Sequence, residues 1–176
     1  MAYGKEDAIG KWSLDKLDFL NKYIPAYLQA TKKAIHKYYI DGFAGRGKWI
    51  VKKTGKVIDG SAAIALKYAD RFTHVHLIEL DKERAEQLKQ LATEFNAIGK
   101  STIHIGDCNL LLPRIINTIH DKAPVFVFLD PSSDQLKWST IESLSKKRTE
   151  LFILFPLNMT ILRFLPRHGK LQPWAR

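Results

Sequence analysis

Tyr38-Tyr39-Ile40-Asp41-Gly42-Phe43-Ala44-Gly45-Arg46-Gly47 is the stretch that decides the fold of this chain. Rich in Tyr and Ile, it predicts a first strand over residues 37–43, and the glycines that follow impose a sharp turn at that strand's carboxyl end. Downstream the theme repeats. Residues 74–80 read as a second strand, followed by an amphipathic helix with Ala85, Leu88, Ala92 and Phe95 on one face and Gly99 past its end. Residues 102–105 form a short third strand, and Asn109 is expected to cap a helix bearing Leu112, Ile115, Ile116 and Ile119. The continuous apolar run 125–129 is the signature of a strand covered on both faces, and it stops at Asp130-Pro131. Ser139 is expected to begin another helix, and residues 151–155 repeat the buried-strand pattern.

Upstream, Ser13 can cap a helix whose Leu14, Leu17, Leu20 and Ile24 share a face; Pro25 is expected to interrupt it, with a second helical piece over 26–34. Between the glycine turn and Ser61 lies a basic stretch, 48–59, expected to be irregular, after which Ser61 opens a helix with Ala62, Ala65, Leu66 and Ala69 facing inward. The alternation of strands and helices predicts an α/β fold: a doubly wound, mostly parallel Rossmann-like sheet with an N-terminal helical lead and right-handed crossovers. We expect one domain over 1–176, with a helical lead at 1–36, a βα core at 37–156 and the start of a further part at 157–176. Residues 159–165 read as one more apolar segment, and the chain is expected to be cut short at its C-terminus.

Composition narrows the possibilities. The 176 residues can bury a core without disulfides, and 45% hydrophobic with 26% charged residues is ordinary for a globular protein. No apolar run is long enough for a membrane span, and the N-terminus lacks a signal-peptide core, so a cytoplasmic address is expected. The single cysteine, Cys108, excludes an intrachain disulfide and reads as a buried inert thiol. A net charge of +10 creates a positive field that attracts polyanions, so DNA or RNA is an expected partner.

In open parallel sheets ligands bind beyond the carboxyl ends of the strands. Here those ends carry Asp41 and the 44–47 turn, Glu79-Leu80-Asp81, Gly106-Asp107 and Asp130-Pro131. Gly45 and Gly47 let backbone N–H groups approach a ligand, with Ala44 beside them. Glu79 can accept hydrogen bonds from a ribose diol, Asp107 can receive an adenine amine, and Asp41 can pair with an ammonium group. Asp81 reads as the N-cap of the helix after it. The turn lacks the third glycine of a dinucleotide fingerprint, and the next helix starts only at Ser61, so a pyrophosphate is not expected. S-adenosylmethionine, which has no phosphate, suits these ends better. His74 and His76 point to one face of a strand without a third ligand at a recognisable spacing, so no metal site is expected. Gly-x-Ser-x-Gly is absent, which removes the usual hydrolase elbow.

The ordered motifs Asp41-Gly-Phe-Ala-Gly-Arg-Gly47, Glu79-Leu-Asp81, Gly106-Asp107 and Leu129-Asp130-Pro131 resemble those of Rossmann-type S-adenosylmethionine-dependent methyltransferases. More narrowly, Lys11-Trp-Ser-Leu-Asp-Lys-Leu17, Tyr38-Tyr-Ile-Asp-Gly-Phe-Ala-Gly45, Asp59-Gly-Ser61, Arg148-Thr-Glu-Leu151 and Phe155-Pro-Leu157 resemble the bacterial and archaeal three-Cys-motif partner proteins. The resemblance implies a three-Cys-motif protein as partner, cofactor contacts at Gly45, Gly47, Glu79 and Asp107, and Asp130 at the reacting methyl group. Where amino-methylating relatives carry an aromatic residue after the Asp-Pro step, this chain has Ser132-Ser133, so the stacking platform for a base is missing there. Arg46, Lys48, Lys52, Lys53 and Lys56, with Trp49 among them, form a run without acids that would follow phosphates while Trp49 stacks. Two further readings stand beside methyl transfer to a base amine: a non-catalytic cofactor-sensing or scaffold subunit that binds a protein, and a basic nucleic-acid-binding module without cofactor.

Overall fold

A computed structural model describes residues 8–9, 11–132 and 135–154. The expected apolar segment at 159–165, and Ser133, lie outside them. In chain order the elements are β1 (Ala8–Ile9), α1 (Lys11–Ala30), β2 (Tyr38–Asp41), β3 (Lys48–Val51), β4 (Val57–Asp59), α2 (Ser61–Leu66), β5 (His74–Glu79), α3 (Lys82–Glu94), β6 (Ser101–Ile105), α4 (Cys108–Thr118), β7 (Val125–Leu129), α5 (Trp138–Leu144) and β8 (Thr149–Ile153). The central sheet has five strands in the order β6-β5-β2-β7-β8, all parallel. Counting only these strands along the chain, the order is 3-2-1-4-5, the Rossmann arrangement, with its switch point between β2 and β7.

Two hydrophobic layers sandwich the sheet. Tyr39, Val75, Leu77, Phe126 and Phe128 pack with Leu20, Ile24 and Tyr27 of α1, the alanines of α2, and Leu88 and Leu91 of α3. On the other face, Ile40, Ile78, Val127 and Leu129 meet Leu112, Ile115 and Ile116 of α4 and Leu144 of α5. Every residue of β7 is buried, as its unbroken apolar run predicts for a strand covered on both sides.

Several local expectations are corrected. Pro25 does not interrupt α1, which runs unbroken from Lys11 to Ala30. A proline at this position removes one helical N–H and clashes with the carbonyl of Asn21, but Asn21 is exposed and water can solvate that carbonyl. Burial of Leu20, Ile24, Tyr27 and Leu28 on both sides of the proline, each contributing about 1.5–3 kcal/mol, outweighs the loss.

Residues 48–59 are not irregular: β3 and β4 pair antiparallel, and β1 adds to β3 in parallel. The Gly60 N–H donates to the Gly47 carbonyl at 2.7 Å, so the hairpin is a closed excursion that returns the chain to the glycine turn. Helix α4 is capped by Asp107, which accepts the Asn109 N–H, rather than by Asn109 itself. Asn96, with φ +53°, takes the left-handed position after α3, so Gly99 is not that helix's terminator.

The β5 and β6 strands bring a third histidine to the pair foreseen on β5. His76 Nδ1 lies 3.1 Å from His104 Nε2, and His74 hydrogen-bonds Thr102. Burial, then the neighbouring histidines, push the His76 pKa down to about 3. No group of His, Cys, Asp or Glu among the described residues is arranged to hold a metal ion.

Candidate functional site

A cavity of about 870 Å³ opens at the carboxyl ends of the strands, within the range of about 300–1,000 Å³ usual for small-molecule sites. Ala44, Gly45, Glu79, Asp107 and Asp130 all line it, as do Lys16, Trp49, Ser61, Leu80 and Asn109. Asp41 and Gly47 do not line it: Asp41 is fully buried behind it, and Gly47 packs against Leu88 and Leu91 of α3.

The acidic character of this cavity follows from the two-residue period of a strand. Asp41, Glu79 and Asp130 stand at or just past the ends of the neighbouring strands β2, β5 and β7. Each lies two residues beyond a side chain of the layer formed with α1, α2 and α3, namely Tyr39, Leu77 and Phe128. All three carboxylates therefore project to that one side of the sheet. With Asp81 and Asp107 added, four lining carboxylates face three lining cations, Lys16, Arg84 and Lys137, in a chain whose net charge is +10.

Glu79 holds the glycine turn in place. Its Oε2 accepts the Gly45 N–H at 2.7 Å and its Oε1 accepts the Asp81 N–H at 2.9 Å. Each oxygen keeps a lone pair for a further donor. Gly45 (φ +62°) adopts the left-handed conformation that glycine tolerates best, and the Trp49 indole lies where a Cβ on Gly45 would point. Trp49 is thus part of the cavity wall.

Asp41 is the most perturbed carboxyl. Its Oδ1 accepts the Phe43 N–H at 3.1 Å, whereas Oδ2 has no hydrogen bond of good geometry. Burial drives its pKa up to about 7; the Ser61 hydroxyl and the Phe43 amide oppose this, and Asp130 and Glu79 reinforce it. Ser61 is the first residue of α2, so the hairpin does bring a helix start back to the glycine turn in space, contrary to what its distance in sequence predicts. The carboxyl of Asp41 offers no positive charge there and turns negative as pH passes about 7, and α2 has only six residues, so a phosphate remains ill suited to the spot.

Asp107 accepts both the backbone N–H of Asn109 (2.8 Å) and its side-chain amide (3.0 Å). That amide also donates to the Gln135 carbonyl, while Asn109 Oδ1 accepts from the Lys137 N–H and the Thr140 hydroxyl. One asparagine thereby fastens the approach to α5 onto α4. Asp81 caps α3 by accepting the Arg84 N–H, as its position after β5 predicts. Cys108 is buried, and desolvation with the nearby Asp41 and Asp107 pushes its thiol up to about 12, the behaviour of an inert thiol.

Lys16 is the residue that the sequence reading missed. Reaching from α1, it forms an ion pair with Asp130. The signal was present, since Lys16 falls on the same helical face as Leu20, Ile24 and Tyr27, where a lysine is out of place unless it has a buried partner. Of the residues expected to contact a polyanion, Lys52 and Lys53 are exposed on the hairpin. Lys48 is ion-paired with Glu94 at 2.8 Å, and Arg46 does not line the cavity.

No protein-family model matches the chain, and no curated protein matches it. Fifteen chains of solved structures do. A conserved hypothetical protein of Streptococcus pyogenes is 20% identical, with a TM-score of 0.43, over 70% of this chain and 67% of that one. An Escherichia coli protein described as a putative methyltransferase is 23% identical with a TM-score of 0.45, over 73% of this chain and 60% of its own length. A Haemophilus influenzae protein described as a putative methylase is 18% identical with a TM-score of 0.43, over 76% and 78%. At these levels the likeness carries no argument, and the case for a function stands on the site itself. Among the described residues no helix is long and apolar enough to cross a membrane.

Proposed function

We propose that the cavity binds S-adenosylmethionine and that the chain is a cytoplasmic methyltransferase. The observation that carries this reading is the acidic cavity at the switch point of a strongly basic chain. S-adenosylmethionine bears a sulfonium and an ammonium against one carboxylate, so it is a net cation that such a cavity attracts and a nucleotide polyphosphate is an anion that it repels. The residues fit the cofactor in kind. Glu79 retains lone pairs for a ribose diol, Asp107 lines the cavity and can receive an adenine amine, and Asp41, buried behind the wall, can add negative field for an ammonium only in its ionised form. When bound, the sulfonium supplies an electrophilic methyl group. The protein's share is to align the acceptor and take up its proton, and Asp130, held by Lys16, is the group we assign to that task.

Following the motif resemblance, we propose a nucleic-acid base amine as acceptor, with Lys52 and Lys53 of the hairpin following phosphates. On the same ground we propose a three-Cys-motif protein as partner. The Lys16 ion pair keeps one rival reading open, because an Asp130 committed to a lysine suits a cofactor-sensing subunit as well as a methyl-transferring one. Isothermal titration of S-adenosylmethionine separates them. Heat of binding that is sharply reduced in Glu79→Gln and Asp107→Asn supports the cofactor site, and no heat with the wild type rejects it. Binding without methyl transfer to RNA, DNA or protein supports the sensing subunit.

A further inference from the structure

The five strands of the central sheet are parallel, so the connections that lead into them, residues 31–37, 67–73, 95–100, 119–124 and 145–148, all lie at the end opposite the cavity. Hydrogen bonds fasten them side by side. The Thr73 N–H donates to the Lys37 carbonyl at 2.7 Å, the Tyr38 N–H to the Pro124 carbonyl at 3.0 Å and the Val125 N–H to the Arg148 carbonyl at 3.0 Å. Lys147 Nζ donates across to the Ile119 carbonyl at 2.6 Å. With neighbouring strands about 4.8 Å apart, the face so assembled is roughly 19 Å wide along the sheet.

Its charge is almost wholly of one sign. These connections hold ten lysines and arginines against two acids, Asp70 and Asp121. Eight of the ten are exposed, and among the described residues only Lys67 and Lys147 of the ten form ion pairs, with Asp59 and Asp121. Most of the chain's net charge of +10 is thus gathered at the amino ends of the strands, while the carboxyl ends carry the acidic cavity. A polyanion is drawn to the first end and repelled by the second.

We infer that this basic end binds the phosphate backbones of a double-stranded nucleic acid without reading its sequence. A duplex carries one negative charge per roughly 1.7 Å, so the width of the face spans roughly eleven of them, enough to engage every cation that has no ion pair. A single strand fits less well, because its grip relies on aromatic stacking and the large apolar side chains exposed on this face are aliphatic, Ile35 and Ile98. An anionic membrane also fits less well. Those two isoleucines stand on the connections into β2 and β6, which are not neighbours in the sheet, so they make no continuous wedge of the apolar area that membrane insertion needs. The inference rests on the nucleic-acid part of the reading above and not on the cofactor. It moves the principal hold on phosphates from the hairpin, beside an acidic cavity, to the far end of the strands.

The test is fluorescence anisotropy of the full chain with labelled DNA and RNA duplexes of about 24 base pairs and with their single strands, between about 50 and 200 mM salt. The wild type is expected to bind duplexes more tightly than single strands, with a log–log salt slope of up to about −7 for eight contacts. Lys32→Gln/Lys33→Gln and Lys146→Gln/Arg148→Gln, all at exposed positions, should each weaken duplex binding about tenfold and reduce the slope by about 2. Lys52→Gln/Lys53→Gln on the hairpin should cost less, about threefold. A hairpin pair that costs more than either of the other pairs overturns the inference and leaves the phosphates at the hairpin. Single strands bound more tightly than duplexes overturn it as well. So does a wild type that binds no duplex but floats with vesicles of phosphatidylcholine containing about 30% phosphatidylserine, a result that assigns the face to an anionic membrane. Calorimetry with S-adenosylmethionine tests the cofactor reading separately: absent heat fails that reading, and the duplex results alone decide the basic end.

Discussion

Asp41 shows at the residue scale how one buried carboxyl sets stability against binding. Its ordinary pKa of 3.8 is raised to about 7 in the fold, so between those values the folded chain keeps a proton that the unfolded chain has shed. Its contribution to stability is therefore full at acid pH, falls as pH rises through that window and is flat above it. Asp41→Asn removes the penalty. Thermal melts should show the variant more stable than the wild type at about pH 8, with the difference vanishing near pH 4. For the wild type, affinity for a cationic ligand should rise as pH passes 7, because the ionised carboxylate is the form that attracts it, and calorimetry across that range should lose this rise in Asp41→Asn.

Lys16 is a second residue with a readable role. Its side chain is 18% exposed and that of Asp130 is 28%, so the pair is worth more than a surface bridge and less than a buried one. Lys16→Met should cost about 1–2 kcal/mol in denaturant melts at neutral pH, because it leaves Asp130 facing Asp41 and Glu79 unbalanced. Adding Asp130→Asn should recover most of that loss; if the double variant is no more stable than the single one, the pair has been misread.

At the scale of elements, what the sequence made legible and what it hid divide along a physical line. Strand ends with their acids were legible because the two-residue period and the stop signals are local. The fate of Pro25 was not, because packing on both sides of it decides whether a helix survives, and packing is tertiary. Nor was the hairpin at 48–59, whose β3 is completed by β1 from some forty residues upstream, at Ala8 and Ile9. The cap of α4 was misassigned by two residues because Asp107 and Asn109 are both good cap formers and only the closed turn shows which one accepts. Pro25→Ala, which restores one N–H bond within a helix already fixed by its neighbours, should raise the melting temperature. Gly42→Ala should lower it by an amount equivalent to about 1–3 kcal/mol, since the added methyl would meet the Leu129 side chain and lie 2.7 Å from Cys108 Sγ.

The whole molecule combines a far field of one sign with a near field of the other. Salt at about 0.1 M screens charges over roughly 10 Å, so it removes the repulsion that the +10 chain exerts on a cationic cofactor while leaving the contact with the cavity carboxylates largely intact. Cofactor affinity should therefore stay level or improve between about 50 and 200 mM salt, while binding of a polyanion across the same range should fall by about a hundredfold or more. Opposite salt slopes for the two ligands would show that two sites of opposite charge coexist. A common slope would contradict this picture.

The bond from Gly60 to Gly47 has one more consequence. Because it closes the neck of the β3–β4 excursion, the chain between the two glycines is a cassette, mounted beside the cavity but outside the parallel sheet. Beyond Trp49, which walls the cavity, the exposed turn of this cassette, with Lys52 and Lys53, can change in length and charge while the carboxylates beneath remain in register, so this is where the fold would change its clientele without changing its chemistry.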